Sequence, residues 1–189
     1  SEGTEVSIED SGNIAVFRHG LKCFFEEGRS LAVISHPNVV RVENFFRANE
    51  TVYMVMQYVR GRTLQFHIQR NRAEFTETFM RRIFIHLMNG LREVHANKLL
   101  HLDIKPANIL VDEQGEPRLI DFGLARRNDM WDGEAGTDLG IVGTMQFMSP
   151  EQASGRLGQL SSQADVFSLG ASLYYALTQQ PPYVQAPFN

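Results

Sequence analysis

Apolar residues recur with a helical period in three segments of the chain. The clearest segment is Thr76–Asn97, and a second runs from Val16 to Ile34, where His36-Pro37 follows and ends the pattern. The third, Ser162–Leu177, is almost uncharged and predicts a helix buried within a large lobe. In the first segment the apolar stripe consists of Phe79, Ile83, Leu87, Leu91 and Val94.

Short runs of strand-forming residues lie between these helical segments. Val39–Phe46 and Thr51–Val59 are separated by the turn-like residues 47–50, which predicts a hairpin. Ile109–Val111 and Arg118–Ile120 flank another turn and predict a second pair of strands. We therefore expect two groups of strands that are separated by the longest helix.

The remaining segments predict where the chain is irregular. Residues 1–13 are acidic and polar, which indicates an extended lead-in, and residues 126–147 are rich in Gly, Asp and Thr and predict a long surface loop. Arg60-Gly61-Arg62 interrupts the strand pattern, and the chain beyond it is mostly helical. We expect a change of lobe near residue 60.

Composition excludes several classes of protein. The 189 residues are 43% hydrophobic and 21% charged, which is typical of a globular protein rather than a disordered one. The net charge of −4 gives no reason to expect a nucleic-acid partner. Cys23 is the only cysteine, so no internal disulfide forms, and a reducing compartment is the simpler expectation.

No targeting or membrane segment is expected in this chain. The apolar part of the third helical segment, Val166–Leu177, has 12 residues, whereas a membrane span needs about 20. Four acids among the first ten residues exclude a signal peptide. Because the chain begins with Ser1 rather than Met, we expect it to be a piece of a longer protein.

Two polar islands interrupt the apolar strands of the second lobe. The first runs from His101 to Asn108, and the second is Asp121-Phe122-Gly123. Carboxylates and a lysine at neighbouring strand ends are costly to bury unless they have partners. A hydrogen-bonded pair of turns explains one island alone, but two islands in this order favour a functional site.

These islands resemble the protein kinase family, whose catalytic loop is written H-R-D-x-K-x-x-N and whose metal motif is D-F-G. The resemblance implies that Asp103 orients the substrate hydroxyl and accepts its proton, and that Lys105 places positive charge beside the γ-phosphate. It further implies that Asn108 and Asp121 hold Mg²⁺, so ATP and Mg²⁺ are the expected cofactors. Because a lysine lies two residues after the aspartate, the loop resembles that of serine/threonine kinases.

The first 59 residues resemble part of the small lobe of that family. By this resemblance Glu27 is the acid that pairs the catalytic lysine, and Glu26 is the alternative if the helix register differs. Met56 would be the gatekeeper behind the adenine, and Gln57 and Val59 would offer backbone groups to its edge. Below the adenine ring, the resemblance places Leu110.

The end of the chain also resembles the family. Ser149-Pro150-Glu151 is similar to its A-P-E motif, and Asp165 begins a segment like its αF helix, where the aspartate tethers the catalytic loop. Leu102 stands where most kinases have the arginine that binds a phosphorylated activation loop. We therefore expect that phosphorylation of Thr137 or Thr144 is not required for activity.

Other parts of the family pattern are missing. The chain has three lysines, Lys22, Lys98 and Lys105, and none lies in a strand before the first helical segment. No G-x-G-x-x-G occurs upstream, and the chain stops just after the αF-like helix. Either the chain is an internal piece of a complete kinase, which we favour, or it is a degenerate member without the lysine.

The resemblance implies an α+β, two-lobed protein-kinase-like fold. Residues 1–59 would be the remnant of the N-lobe and hinge, without the Gly-rich loop and the lysine strand, and residues 60–189 the mainly helical C-lobe, truncated after αF. The expected function is transfer of the ATP γ-phosphate to protein Ser/Thr hydroxyls in the cytoplasm, slow or absent in this piece alone. A pseudokinase scaffold is the main alternative, and a small-molecule phosphotransferase is a distant third.

Overall fold

The computed structural model describes residues 31–49, 51–70, 75–122, 126–127 and 145–183. The expectations for the first helical segment, including Glu27, and for most of the loop at 126–147 lie outside these residues. The strands are β1 (Val42–Ala48), β2 (Thr51–Met56), β3 (Gly61–Thr63), β4 (Leu99–Leu100), β5 (Ile109–Asp112), β6 (Pro117–Leu119) and β7 (Arg126–Arg127). The helices are α1 (Leu64–Arg70), α2 (Glu77–Ala96), α3 (Pro150–Ala153) and α4 (Ser162–Thr178).

The predicted first hairpin is formed by the antiparallel strands β1 and β2. Phe46 and Tyr53 face each other across the pair, and their rings stack with centroids 5.2 Å apart. The hairpin begins at Val42 rather than at the expected Val39, because Val39 forms a parallel bridge to Leu119 instead. The segment before β1 therefore joins the hairpin to the second group of strands.

Helix α2 confirms the prediction from the apolar stripe. Thr76 is its N-cap and accepts a hydrogen bond from the N–H of Phe79 at 3.1 Å, and Asn97 is its C-cap. The buried face of this helix supplies much of the main hydrophobic core. It consists of Met80, Ile83, Phe84, Leu87, Gly90, Leu91 and Val94.

The segment that seemed to break the pattern near residue 60 is a strand. β3 pairs antiparallel with β5, and β5 pairs with β6, so the three form one sheet in the order β3-β5-β6. A Cβ atom at Gly61 would lie 2.3 Å from the carbonyl oxygen of Val111, so glycine is required for this close pairing. Helix α1 follows directly and buries Leu64 and Ile68.

Helix α4 extends one residue beyond the predicted Ser162–Leu177. Its inward face consists mostly of small residues, and it ends at Gln179, which adopts the left-handed conformation with φ 61°. Helices α2 and α4 pack against each other, and the main core that they share also includes Val39, Val40 and Val42 at and just before the start of the hairpin. Among the helices that the structure describes, none is long and apolar enough to cross a membrane.

Candidate active site

The first polar island forms a loop that is tied to helix α4 by one buried carboxylate. Asp165 is fully buried and accepts hydrogen bonds from the backbone N–H of His101 at 2.9 Å and of Leu102 at 2.7 Å. Its Oδ2 also lies 2.8 Å from Nε2 of His95. This contact agrees with the tethering role that the resemblance assigns to Asp165, and it fixes the start of the loop.

Leu102 is held in an unusual backbone conformation at the same place. Its φ is 61°, and its side chain is buried in a small cluster with Leu100, Leu160 and Ala164. The carbonyl of Leu102 accepts a hydrogen bond from Nε2 of Gln152 at 2.9 Å. The loop is therefore fixed on both sides, and Leu102 serves as an apolar anchor.

Gln152 is a positioning residue that the sequence analysis did not single out. Its amide nitrogen reaches Leu102, while its Oε1 accepts from the backbone N–H of Ser149 and completes a capping box at the start of α3. The sequence signal for the cap was present as Ser149 followed by Gln152 three residues later. No local pattern indicated the second contact, since the two residues that it joins lie fifty positions apart.

Two of the predicted site residues converge on the carboxylate of a third, Asp103. Nζ of Lys105 lies 3.1 Å from Oδ1 and 2.8 Å from Oδ2 of Asp103. Nδ2 of Asn108 donates to Oδ2 of Asp103 at 2.8 Å and to its backbone carbonyl at 3.0 Å. The side chains of Asp103 and Lys105 are only 13% and 20% exposed, so water screens their charges weakly.

The fourth residue, Asp121, is brought to the same end of the sheet by backbone pairing. The N–H of Ile120 donates to the carbonyl of Asn108 at 3.0 Å, so Asp121 directly follows a residue that contacts Asn108. Asp121 is exposed and has φ 62°. The sequence analysis placed both residues at neighbouring strand ends, and the structure brings those ends together.

A buried histidine lies beneath this group. The ring of His101 is fully buried, and its centroid lies 4.5 Å from that of Phe122. Burial lowers the pKa of His101 because it penalises the charged imidazolium, although the negative charges of Asp165, Asp103 and Asp121 oppose this effect. We therefore treat His101 as a neutral packing residue that supports the loop.

The residues expected to hold an adenine lie in two places. Met56 ends β2 and is 42% exposed, and Gln57 and Val59 follow it in the segment before β3. The N–H of Gln57 donates to the carbonyl of Arg41 at 2.9 Å, so this N–H is engaged within the protein. Leu110 lies half-buried in the middle of the β3-β5-β6 sheet.

The oxygen atoms of this site suit a hard divalent cation. Both hydrogen bonds that the Asn108 side chain makes within the described residues use its nitrogen, and its Oδ1 is an acceptor that they do not use. In the part of the chain that the structure describes, no cluster of three or more His, Cys, Asp or Glu residues forms a metal site. Asn108 and Asp121 are the residues whose oxygen atoms would hold such a cation.

Comparison with known proteins agrees with these observations. A family model described as the protein kinase domain matches residues 12–188. The chain is 34% identical over 169 residues to the probable serine/threonine-protein kinase PknB of Bifidobacterium longum, covering 85% of the chain and 24% of that protein. It is 30% identical over 167 residues to the serine/threonine-protein kinase PrkC of Bacillus subtilis, covering 86% and 24%.

A further relative and a solved structure show the same similarity. The serine/threonine-protein kinase PknB of Mycobacterium tuberculosis is 32% identical over 164 residues, which cover 85% of the chain and 26% of that protein. The structure of PpkA-294 in its apo form superposes with a TM-score of 0.78 at 28% identity, covering 97% of the chain and 63% of that structure. The chain spans about a quarter of the length of these curated relatives.

Proposed function

Since the chain belongs to the protein kinase family, we propose that it acts as the catalytic domain of a serine/threonine protein kinase. Such a domain transfers the γ-phosphoryl group of ATP to serine or threonine hydroxyls of proteins. The observation that carries this proposal is the convergence of Lys105 and Asn108 on the carboxylate of Asp103. The three relatives described above are named as serine/threonine kinases, which gives the scaffold alternative no support.

Asp103 is the residue that we assign to the substrate hydroxyl. Hydrogen bonds from Asn108 and Lys105 hold its carboxylate in one orientation. In the proposed step the hydroxyl oxygen forms a bond to the γ-phosphorus, and the bond between that phosphorus and the bridging oxygen to the β-phosphate breaks. The hydroxyl proton passes to Asp103, which acts as the general base.

Lys105 supplies positive charge at the same place. Its ammonium group is largely shielded from water and lies against Asp103. A cation in such a weakly screened position stabilises the negative charge that the transferring phosphoryl group carries. We therefore assign Lys105 to the γ-phosphate rather than to a structural ion pair alone.

Asn108 and Asp121 are the residues that we assign to Mg²⁺. The amide oxygen of Asn108 is oriented by the two hydrogen bonds of its nitrogen, and carboxylate and amide oxygens are the ligands that Mg²⁺ prefers. A bound Mg²⁺ would supply positive charge that offsets the negative charge of the phosphates. The contribution of the chain is to hold these two oxygens at the end of the β3-β5-β6 sheet.

The adenine-binding residues, the lysine partner and the lobe boundary are part of the same proposal. Met56 and Leu110 would contact the ring, while the carbonyl of Gln57 and the backbone of Val59 would pair its edge. Glu27, which lies outside the described residues, is proposed as the acid that pairs the catalytic lysine. We place the lobe boundary near residue 60, so that residues 1–59 belong to the small lobe and residues 60–189 to the large lobe.

The partners and the cellular location of the protein are also part of the proposal. The substrates are proteins, and we expect no nucleic-acid partner for a chain of net charge −4. A cytoplasmic location fits a chain whose single cysteine, Cys23, has no partner for an internal disulfide.

Phosphoamino-acid analysis tests the proposed function. The full-length protein would be incubated with γ-labelled ATP, Mg²⁺ and a generic protein substrate, and the product hydrolysed and separated. We expect label on serine and threonine. Label on tyrosine would contradict the assignment of the substrate class, and no incorporation by a well-folded protein would favour the scaffold alternative.

A further inference from the structure

An open surface cleft of about 460 Å³ lies apart from the candidate active site. It is bordered by the loop before Val39, one face of helix α2 and the strand β6 together with the turn before it. None of the residues assigned to catalysis, Mg²⁺ or ATP lines it. We call it the arginine cleft, and its donor-bearing residues are His36, Asn38, His86, Asn89, Arg92 and Arg118.

Arg118 has an unsatisfied donor at this cleft. A guanidinium group carries five N–H donors. The one ion pair that Arg118 makes within the described residues is a long contact of 3.4 Å from Nη2 to Oδ2 of Asp112. In the same part of the chain its Nε is buried and has no hydrogen-bond partner. A buried donor without an acceptor is unfavourable, so the guanidinium group of Arg118 is incompletely satisfied within the described residues.

The single acid that lines the cleft is already paired. The carboxylate of Glu116 accepts a hydrogen bond from Arg82, and its Oε2 lies 2.7 Å from Nδ1 of His86. The hydrogen bond from Arg82 lowers the pKa of Glu116, so this carboxylate is ionised and its charge is compensated. Arg92 has no ion pair among the described residues, which leaves an excess of positive charge at the cleft.

The donors of the arginine cleft come from three separate walls. His36 lies on the loop, and its Nδ1 accepts from the N–H of Asn38 at 3.1 Å, which leaves Nε2–H as a donor. Asn89 and Arg92 lie on helix α2, and Arg118 lies on the third wall. A tetrahedral anion accepts hydrogen bonds in several directions at once, whereas a carboxylate accepts them mainly in one plane.

We propose that the arginine cleft binds a phosphate-type dianion, either inorganic phosphate or the phosphoryl group of a phosphorylated protein side chain. Arg118 and Arg92 would bind it through their guanidinium groups, which match phosphate geometry. This site is additional to the ATP site of the proposed function. Binding of an anion there does not depend on phosphoryl transfer. A failure of phosphate binding at the arginine cleft is therefore distinguishable from a failure of the proposed kinase activity.

The test is a titration followed through histidine side chains. In the full-length protein with isotope-labelled histidine, inorganic phosphate is added while the NMR signals of His36 and His86 are recorded. We expect both signals to shift and to saturate, while those of His95 and His101, which lie outside the cleft, stay in place. Failure of both cleft signals to shift with phosphate, and with a phosphoserine peptide, would overturn the proposal.

Matched variants separate specific binding from a general charge effect. Arg92 is exposed, so Arg92→Gln is expected to fold normally, and it should weaken phosphate binding by about tenfold. Arg118→Gln should weaken it at least as much, with folding checked by thermal unfolding. Arg81→Gln is the control, because Arg81 lies on the same helix and pairs with Glu77 outside the cleft. Equal affinity in the Arg92 variant and the Arg81 control would contradict the assigned site.

The two sources of the anion are distinguished by a second titration. A phosphoserine peptide and its unphosphorylated form are compared with inorganic phosphate on the same protein. Tighter binding of the phosphopeptide than of phosphate would identify a phosphorylated protein as the source. Equal or weaker binding of the phosphopeptide would identify the free anion. Binding of the unphosphorylated peptide as strong as that of the phosphopeptide would contradict a phosphate site.

Discussion

At the scale of single residues, the candidate site depends on one buried acid that takes no part in the proposed chemistry. Asp165 accepts hydrogen bonds from two consecutive backbone N–H groups and contacts His95. These groups precede Asp103 by one and two positions, so their placement sets where Asp103 can lie. The loop is thus anchored immediately before Asp103.

Replacing this acid should destabilise the protein strongly. Asp165→Ala leaves the N–H groups of His101 and Leu102 buried without acceptors, and we expect a loss of roughly 3–5 kcal/mol in the free energy of unfolding. Urea denaturation measures this loss. The control is Glu113→Ala, an exposed acid in the turn between β5 and β6, which should change stability little. A loss at Asp165 as small as that at Glu113 would show that the anchor is not needed.

His101 should make stability depend on pH in a defined direction. Its pKa in the folded protein is lowered by burial from the usual value of 6.5, so the unfolded chain binds the proton more tightly. The contribution of His101 to the free energy of unfolding is therefore fully present above pH 6.5, and it is lost as the pH falls below that value. One such group changes the free energy of unfolding by at most about 1.4 kcal/mol per pH unit.

The variant His101→Phe tests this dependence. We expect its free energy of unfolding to vary less steeply than that of the unmodified protein between about pH 5 and pH 6.5. Phenylalanine keeps the ring contact with Phe122 but cannot take up a proton. Gln114→Ala, a change without a titratable group in the exposed turn between β5 and β6, should retain the original slope. Identical slopes for all three proteins would contradict a depressed pKa at His101.

At the scale of elements, sequence analysis is accurate where local interactions form the element. It fails where the element depends on contacts between residues that are distant in the sequence. Helix α2 was predicted almost to the residue, because its stripe of apolar residues and its caps at Thr76 and Asn97 are local signals. β3 was missed, since residues 61–63 carry little strand propensity and are held by pairing with β5, nearly fifty residues later. Its conformation is decided by tertiary contact.

The same distinction holds for the candidate site. Asp103, Lys105 and Asn108 lie within six residues, so a motif was enough to place them together. The contact between Gln152 and the carbonyl of Leu102 joins distant parts of the chain, and no periodicity encodes it. Asp165 also positions the loop from a distant segment, and it was identified through the family resemblance rather than through any local pattern.

A substitution at Gly61 tests directly whether close pairing with β5 determines the conformation of β3. A Cβ atom there would lie 2.3 Å from the carbonyl oxygen of Val111, which is backbone and cannot move aside cheaply. We expect Gly61→Ala to lower the free energy of unfolding by roughly 1–3 kcal/mol. Gly158→Ala is the matched control, since a Cβ there meets no atom of the described residues within 4 Å. Thermal unfolding of both variants gives the comparison, and equal stability would refute the close pairing.

At the scale of the whole molecule, the sequence departs from most kinases in how it would be regulated. Leu102 replaces the arginine that binds a phosphorylated activation loop, and its side chain is instead buried with Leu100 and Leu160. An apolar anchor of this kind does not respond to phosphate. Within the described residues, the loop that carries Asp103 is fixed by this packing and by Asp165.

This arrangement predicts activity without phosphorylation of the loop. The double variant Thr137→Ala and Thr144→Ala, both of whose positions lie outside the described residues, should keep phosphoryl transfer within about threefold of the unmodified protein, because Leu102 offers no group for a phosphate. The measurement is the initial rate of transfer to a protein substrate by phosphatase-treated protein. A large gain in rate on phosphorylation of either threonine would contradict the prediction.

The most direct test of the account separates ATP binding from transfer at Asp103. The full-length protein and its Asp103→Asn variant would be compared for affinity for ATP with Mg²⁺ and for the rate of phosphoryl transfer. We predict similar affinity and a rate lower by roughly 10²–10⁴-fold, the usual contribution of a general base. Transfer at an undiminished rate in the variant would contradict the central claim that Asp103 receives the proton of the substrate hydroxyl.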